Sequence, residues 1–348
     1  MSDYSISEIR PTDKRFIKQM DVLLEKEGIS RDKNLDYSLG MFDDDYNLVA
    51  TGSCFKNTLR CMAVDSSHQG EGLLGEIVSS LMDYQYSRGN TDLFLYTKCN
   101  SAKFFKDLGF YELSRVENRV VFMENSRDNF KDYLDELASV SPSGGKNGAI
   151  VMNANPFTLG HKYLIETAAA QCDHLHVFVV SEDASLVPAD VRYKLVCEGT
   201  AHLPNVIIHK TGSYIISNAT FPSYFLKDSE LVIRSHAELD INIFAKIAKA
   251  AHINVRFVGE EPLSQVTGIY NEVMASLLPK NGVEVVIVPR LCEGKDVISA
   301  STVRSLIKSG DFDSLSRLVP DTTLAYFSSK EAAPVIKAIK ASKEVRHY

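Results

Sequence analysis

Short apolar runs and amphipathic stretches alternate along the N-terminal part of the chain. Tyr4 to Ile9 reads as a strand, Thr12 to Glu27 as a helix closed by Gly28, and Tyr37 to Phe42 as a strand turned by Asp43 to Asp45. Leu48 to Phe55 and Leu59 to Val64 read as a hairpin pair. Asp65 to Gly75 then opens a helix that runs to Arg88 and stops at Gly89. Asp92 to Thr97 is a further strand, Asn100 to Phe110 a short helix with a turn at Gly109, and a β segment through Val120 to Met123 closes the region.

A polar helical stretch, Asn125 to Val140, and a Gly/Pro-rich linker, Ser141 to Gly148, follow. Beyond them the pattern becomes regular. Ala149 to Met152, His174 to Val180, Asn205 to His209, Leu231 to Arg234, Asn254 to Gly259 and Val283 to Val288 are predicted strands. Val191 to Ala201, Ile241 to Ala251, Val266 to Leu278 and Thr302 to Lys308 are the predicted helices, and Ser328 to Tyr348 reads as a basic terminal helix. Such alternation predicts a doubly wound parallel sheet. The expected organisation is an α+β domain over 1–127, a connecting helix and linker over 128–147, and a Rossmann-like domain over 148–348.

A chain of 348 residues fits two domains, and its 45% hydrophobic and 24% charged residues suit two packed cores. The net charge of −7 argues against a nucleic-acid-binding role. Six cysteines are scattered without a CxxC pair, which argues against a zinc site or a disulfide framework. The N-terminus lacks the build of a signal peptide, and no run approaches the ~18 apolar residues of a membrane span. A soluble protein of a reduced cytoplasm, with no membrane partner, is the expectation.

The most informative stretch is Gly148 to Gln171: an apolar strand, a loop broken by Asn, Pro and Gly, and a helix whose start carries His161 and Lys162. A helix N-terminus offers unpaired N–H groups and a positive dipole end, so the predicted ligand is an anion, phosphate above all. Within the loop, Thr158-Leu-Gly-His161 resembles the T/HxGH signature of the nucleotidyltransferase superfamily. Ile298-Ser-Ala-Ser-Thr-Val-Arg304 resembles its second signature, roughly I-S-S-T-x-x-R, with Ala300 in place of a serine. Either motif alone also fits a plain helix cap, whereas the ordered pair a domain apart points to nucleotide chemistry.

The expected catalytic residues are His161 and Thr158, as donors to phosphate oxygens, with Lys162 and Arg304 adding charge. Asn155, Pro156, Phe157, Gly160, Gly259, Ile298, Ser299, Ser301 and Thr302 are the expected nucleotide-binding residues, and Arg290 is a further cationic support. ATP with magnesium would be the substrate, the metal held mainly by phosphates and water. Arg192, Arg234 and Lys295 are weaker cationic candidates.

In the first half, Gln69, Gly70 and Gly72 resemble the R/Q-x-x-G-x-G/A pyrophosphate loop of the GNAT acetyltransferases. Asn100, Ala102 and Leu108-Gly-Phe110 resemble that family's later N-x-x-A…L-G-F segment. The resemblance implies that Gln69, Gly70 and Gly72 grip the diphosphate of a CoA-like molecule on a helix N-terminus. Leu74 replaces the final small residue, and Phe105 stands where many of these enzymes carry a proton-donating tyrosine, so binding without acetyl transfer is expected. A glycine-relieved turn with no ligand fits the same residues.

Over essentially its whole length the chain resembles the citrate lyase ligases. Gln69 to Gly72, Leu93 to Lys98, Ile216 to Phe225 and Val258 to Pro262 carry the likeness beyond the two signatures. The resemblance implies activation of acetate as acetyl-adenylate and acetylation of the thiol on the CoA-derived prosthetic group of the citrate lyase acyl carrier subunit, with release of AMP and diphosphate. Ile216 to Phe225 would then border a substrate pocket. An adenylyltransferase acting on a phosphopantetheine or a nucleotide, and a non-catalytic acyl-CoA/ATP sensor, are the alternative readings.

Overall fold

The computed structural model of the chain describes residues 4–181, 185–215, 221, 229–260, 265–294 and 296–342. These fall into two compact units. One is formed by residues up to Asp132 together with a returning segment that ends at Leu239; the other holds the remainder from Tyr133. The return is stitched by polar contacts: Arg119 meets Glu238 at 2.8 Å and Ser235 at 3.3 Å.

The first unit is a seven-stranded sheet built from β1 (Ser5–Glu8), β2 (Tyr37–Phe42), β3 (Leu48–Phe55), β4 (Thr58–Val64), β5 (Phe94–Thr97), β6 (Tyr111–Val116) and β7 (Val120–Glu124), in the order β1-β2-β3-β4-β5-β7-β6. Every pairing is antiparallel except β4 with β5. Helices α1 (Lys14–Lys26), α2 (Leu73–Ser87) and α3 (Ala102–Asp107) complete it. α2 buries Leu73, Ile77, Val78 and Leu81, a helical stripe, against β3. Gly52 makes the approach close, because a Cβ there would lie 2.6 Å from Ile77 Cγ2. β4 and β5 pair only at Thr58 with Phe94 and at Leu59 with Leu95. Beyond those pairs, Met62 to Val64 on one strand and Tyr96 to Lys98 on the other line a cavity of 700 Å³.

Helix α4 (Asn129–Val140) leads to five parallel strands: β8 (Asn147–Met152), β9 (His174–Val179), β10 (Val206–Lys210), β11 (Val255–Gly259) and β12 (Glu284–Val288). Their order is β10-β9-β8-β11-β12. The sheet therefore grows first to one side of β8 and then to the other, and the crevice for a ligand belongs at the carboxyl end of β8. Helices α5 (Leu159–Ala169), α6 (Ala189–Thr200), α7 (Ser229–Ala250) and α8 (Gln265–Leu277) alternate with the strands. Ile150, Val177, Val255 and Phe257 of the sheet form one core with Phe157, Ile165 and Leu195. After the short hairpin β13 (Cys292–Glu293) and β14 (Asp296–Val297) come α9 (Ala300–Ser309), α10 (Phe312–Leu315), α11 (Asp321–Ser328) and α12 (Ala333–Ala341), which share a second core.

The fold class is the expected one in both units, with two local differences. Leu231 to Arg234, read as a strand, lies inside α7, where Leu231 is 37% exposed. Three apolar residues and an arginine carry no period, and their continuity with the amphipathic stretch behind them favours helix. The terminal segment is two helices separated by a turn at 330–332, with Pro334 in the first turn of the second, as a proline tolerates only the start of a helix. Residues 343–348 lie outside the described residues.

Candidate active site

Both signatures reach one cavity of 390 Å³ at the carboxyl end of β8. Thr158 is the N-cap of α5 and His161 its third residue, and the two close a reciprocal cap: the Thr158 hydroxyl accepts from the His161 N–H at 3.3 Å, while His161 Nδ1 accepts from the Thr158 N–H at 3.1 Å. An Nδ1 that accepts a backbone proton carries none itself, so the neutral ring holds its proton on Nε2. Burial, with the Arg290 charge adding to it, pushes the His161 pKa down to about 4. His161 is thus a neutral donor at neutral pH.

Gly160 explains how the second signature comes so near. A Cβ at this position would sit 3.0 Å from the carbonyl oxygen of Ile298, so the start of α5 lies against the backbone that leads into α9. Ser299 caps α9 by accepting from the Thr302 N–H at 3.1 Å, and it also meets the Ser301 and Thr302 hydroxyls at 2.8 Å. Ile298, Ser299, Ser301 and Arg304 line the cavity; Thr302 is exposed and does not. Arg304 is buried and donates to the carbonyl of Asn155, which ties the two signature loops together. Arg290 lines the cavity beside them and donates to the carbonyl of Glu260.

The remaining expected residues divide. Asn155, Gly160 and Gly259 line the cavity. Asn155 is joined to Pro156 by a cis peptide bond, and its side-chain oxygen accepts from the Val187 N–H at 3.0 Å. Phe157 is fully buried in the core against Gly199, which makes it an anchor of the loop. Lys162 does not line the cavity; it faces Glu166, one turn on, at 3.8 Å. Arg234 is likewise on a helix surface near Glu230, at 3.6 Å. Lys295, Glu261, Pro262 and most of Ile216 to Phe225 lie outside the described residues.

Asn153 gains an importance that its sequence context hides, and Arg192, expected only as a cation of the site, has a different place in it. Asn153, the first residue after β8, lines the cavity. Arg192 on α6 is completely buried and donates into the same loop, to the Asn153 carbonyl at 2.8 Å. The signal for Asn153 was its place immediately after the apolar run; nothing local marks Arg192, whose partners are carbonyls brought in by the fold.

The first unit's cavity is lined by Gln69, Gly70, Gly72, Leu74, Lys98 and Phe105, among others. Gly70 and Gly72 have φ of 91° and 83°, the left-handed region, and Gly72 is the N-cap of α2. A Cβ at either would meet nothing within 4 Å, so backbone conformation and not crowding explains these glycines. Phe105 is 3% exposed and offers the cavity only an apolar edge.

Among the described residues no group of three or more His, Cys, Asp or Glu side chains is placed to hold a metal ion, and no helix is long and apolar enough to cross a membrane. The citrate lyase ligase C-terminal domain matches residues 147–327. A citrate (pro-3S)-lyase ligase of Klebsiella pneumoniae is 43% identical over 284 residues, covering 80% of this chain and 83% of that protein. Those of Escherichia coli K12 and Haemophilus influenzae are 37% and 38% identical, covering 92% and 90% of this chain and 93% and 96% of theirs. By its matched domain and by relatives aligned along almost their whole length, the chain belongs to the citrate lyase ligase family of enzymes.

Proposed function

We propose that the second unit activates acetate with ATP and that the acetyl group passes to the thiol of a CoA-derived prosthetic group on the citrate lyase acyl carrier subunit. A carboxylate oxygen attacks the α-phosphorus, the bond from that phosphorus to the bridging oxygen breaks, and diphosphate leaves; no proton need move. The thiol gives its proton to solvent, its sulfur then attacks the acyl carbon of the mixed anhydride, the bond from that carbon to the phosphate oxygen breaks, and AMP departs. Adenylyl transfer needs in-line positioning and stabilisation of charge on the phosphoryl oxygens. The observation that carries this reading is the convergence of two capped helix starts, α5 and α9, on one cavity that also holds His161, Arg290 and Arg304.

In this reading the His161 Nε2–H donates to the α-phosphoryl oxygens, and Ser301 with the α9 N–H groups, Arg304 and Arg290 holds the diphosphate end. Magnesium would enter as part of the nucleotide substrate. Among the described residues no Asp or Glu lines the cavity, which fits a metal held by the triphosphate and water. The first unit's cavity, with the left-handed glycines at its rim, is the proposed seat of the carrier's CoA-like arm. Six free cysteines suit a reducing cytoplasm.

The test is product analysis. Incubation with ATP, acetate and thiol-form citrate lyase carrier should yield an acetyl thioester with one AMP and one diphosphate per acetyl group. A stable adenylylated product would favour an adenylyltransferase instead, and ADP as product would overturn the mechanism.

A further inference from the structure

We infer that Arg192 and Asn153 form a positioning pair that aims the Asn153 amide N–H at the carboxylate of the acid substrate; the inference rests on the adenylate-forming reading above. Arg192 Nε donates to the carbonyl of Val187 at 2.9 Å. Its Nη1 faces three oxygens: the carbonyl of Val180 at 2.6 Å, the carbonyl of Asn153 at 2.8 Å and the side-chain Oδ1 of Asn153 at 2.8 Å. A guanidinium only donates, so the Asn153 atom that faces it must be the oxygen, and the usual ambiguity of an amide is removed.

Nδ2 therefore points away from Arg192. It donates one hydrogen to Ser185 Oγ at 2.9 Å. The other has no hydrogen-bond partner among the described residues, and Asn153 is exposed where it lines the cavity. A completely buried cation on a neighbouring helix thus fixes the one exposed amide at the end of the central strand.

Strand order says which substrate that amide meets. Asn153 is tied directly to Ser185 and, through Arg192, to the carbonyls of Val180 and Val187, all of which follow β9, on one side of β8. Arg290 and the start of α9 follow β12, at the far end on the other side. The charged donors suited to phosphates gather there, which leaves a neutral donor for the attacking acid. Chemistry favours this division. A cation would pair with the carboxylate and hold back its lone pairs, whereas an amide N–H orients it and leaves its charge unneutralised.

The experiment measures acetate-dependent exchange of labelled diphosphate into ATP, ATP affinity by calorimetry, and thermal unfolding, for the full chain, for N153A, N153D and R192K, and for the double variant N153A/R192K. N153A should raise the acetate KM by about tenfold or more, the scale of a lost hydrogen bond to a charged group, with ATP affinity changed by less than about twofold. N153D gives Arg192 a carboxylate, so the fold should hold, while like charge against the acid should cut exchange by more than about a hundredfold. R192K should raise the acetate KM as N153A does, and the double variant should be no worse than N153A alone, since both act through one amide. A wild-type acetate KM in N153A, a loss of ATP affinity that matches the loss of rate, or additive effects in the double variant would overturn the pairing. Absence of acetate-dependent exchange in the unaltered protein would instead remove the function on which it rests.

Discussion

His161 combines two properties that pull in the same direction. Its Nδ1 is occupied by the Thr158 N–H, and burial lowers its pKa to about 4, so at neutral pH the ring is an uncharged donor through Nε2. Nitrogen NMR of the nucleotide-free protein should therefore find Nδ1 unprotonated from pH 8 down to about 5; a ring that gains its second proton near the ordinary 6.5 would contradict the assignment. The sign of the stability effect follows. A histidine whose folded pKa lies below its unfolded value takes up protons more readily when unfolded, so its contribution is complete above about 6.5 and is lost as pH falls toward 4. His176 and His209, buried and in contact at 2.9 Å, are lowered to about 4 by the same desolvation and add to the trend. The melting temperature should be level between pH 7 and 8 and fall steadily from about pH 6.5 to 4. Replacing His161 with alanine should leave the fold intact and lower exchange by ~10²–10³, the scale for one preorganised donor; a variant with the wild-type rate would remove it from the mechanism.

Among the elements, the contact of α5 with the approach to α9 is the one on which the site depends. A methyl group at Gly160 would press on the Ile298 carbonyl at 3.0 Å, and both partners are backbone, so one loop must shift. Gly160→Ala should raise the ATP dissociation constant by about tenfold, a loss of ~1.4 kcal/mol, with little change in melting temperature. Unchanged affinity in calorimetry would mean that the two helix starts do not act together. This arrangement was legible in the sequence because each signature is local: a cap, a glycine and a donor lie within a few residues. Lys162 was not, since one step along a helix turns a side chain by about 100° and here delivers it to Glu166. Arg192 was a cationic candidate in the sequence, but its buried placement was not legible, for a different reason. Its role consists of contacts to the carbonyls of Asn153, Val180 and Val187, and carbonyls leave no mark in a sequence. Leu231 to Arg234 misled because so short a run, three apolar residues and an arginine, suits a strand and a helix equally.

For the molecule as a whole, the proposed function puts adenylate formation at the second unit's cavity and binding of the carrier's arm at the first unit's, so mutation should separate the two. Gly72→Ala places a side chain at φ 83°, which should cost about 1 kcal/mol and distort the rim of the first unit's cavity. Acetylation of the carrier should fall in this variant while acetate-dependent exchange stays as in the wild type; a parallel loss of both would place the two activities in one site. The central claim, adenylate formation in the second unit, is tested most directly by exchange of labelled diphosphate into ATP with no carrier present. Exchange that requires acetate and needs no thiol is the predicted result. Exchange without any acid, or only when the thiol carrier is supplied, would contradict the account.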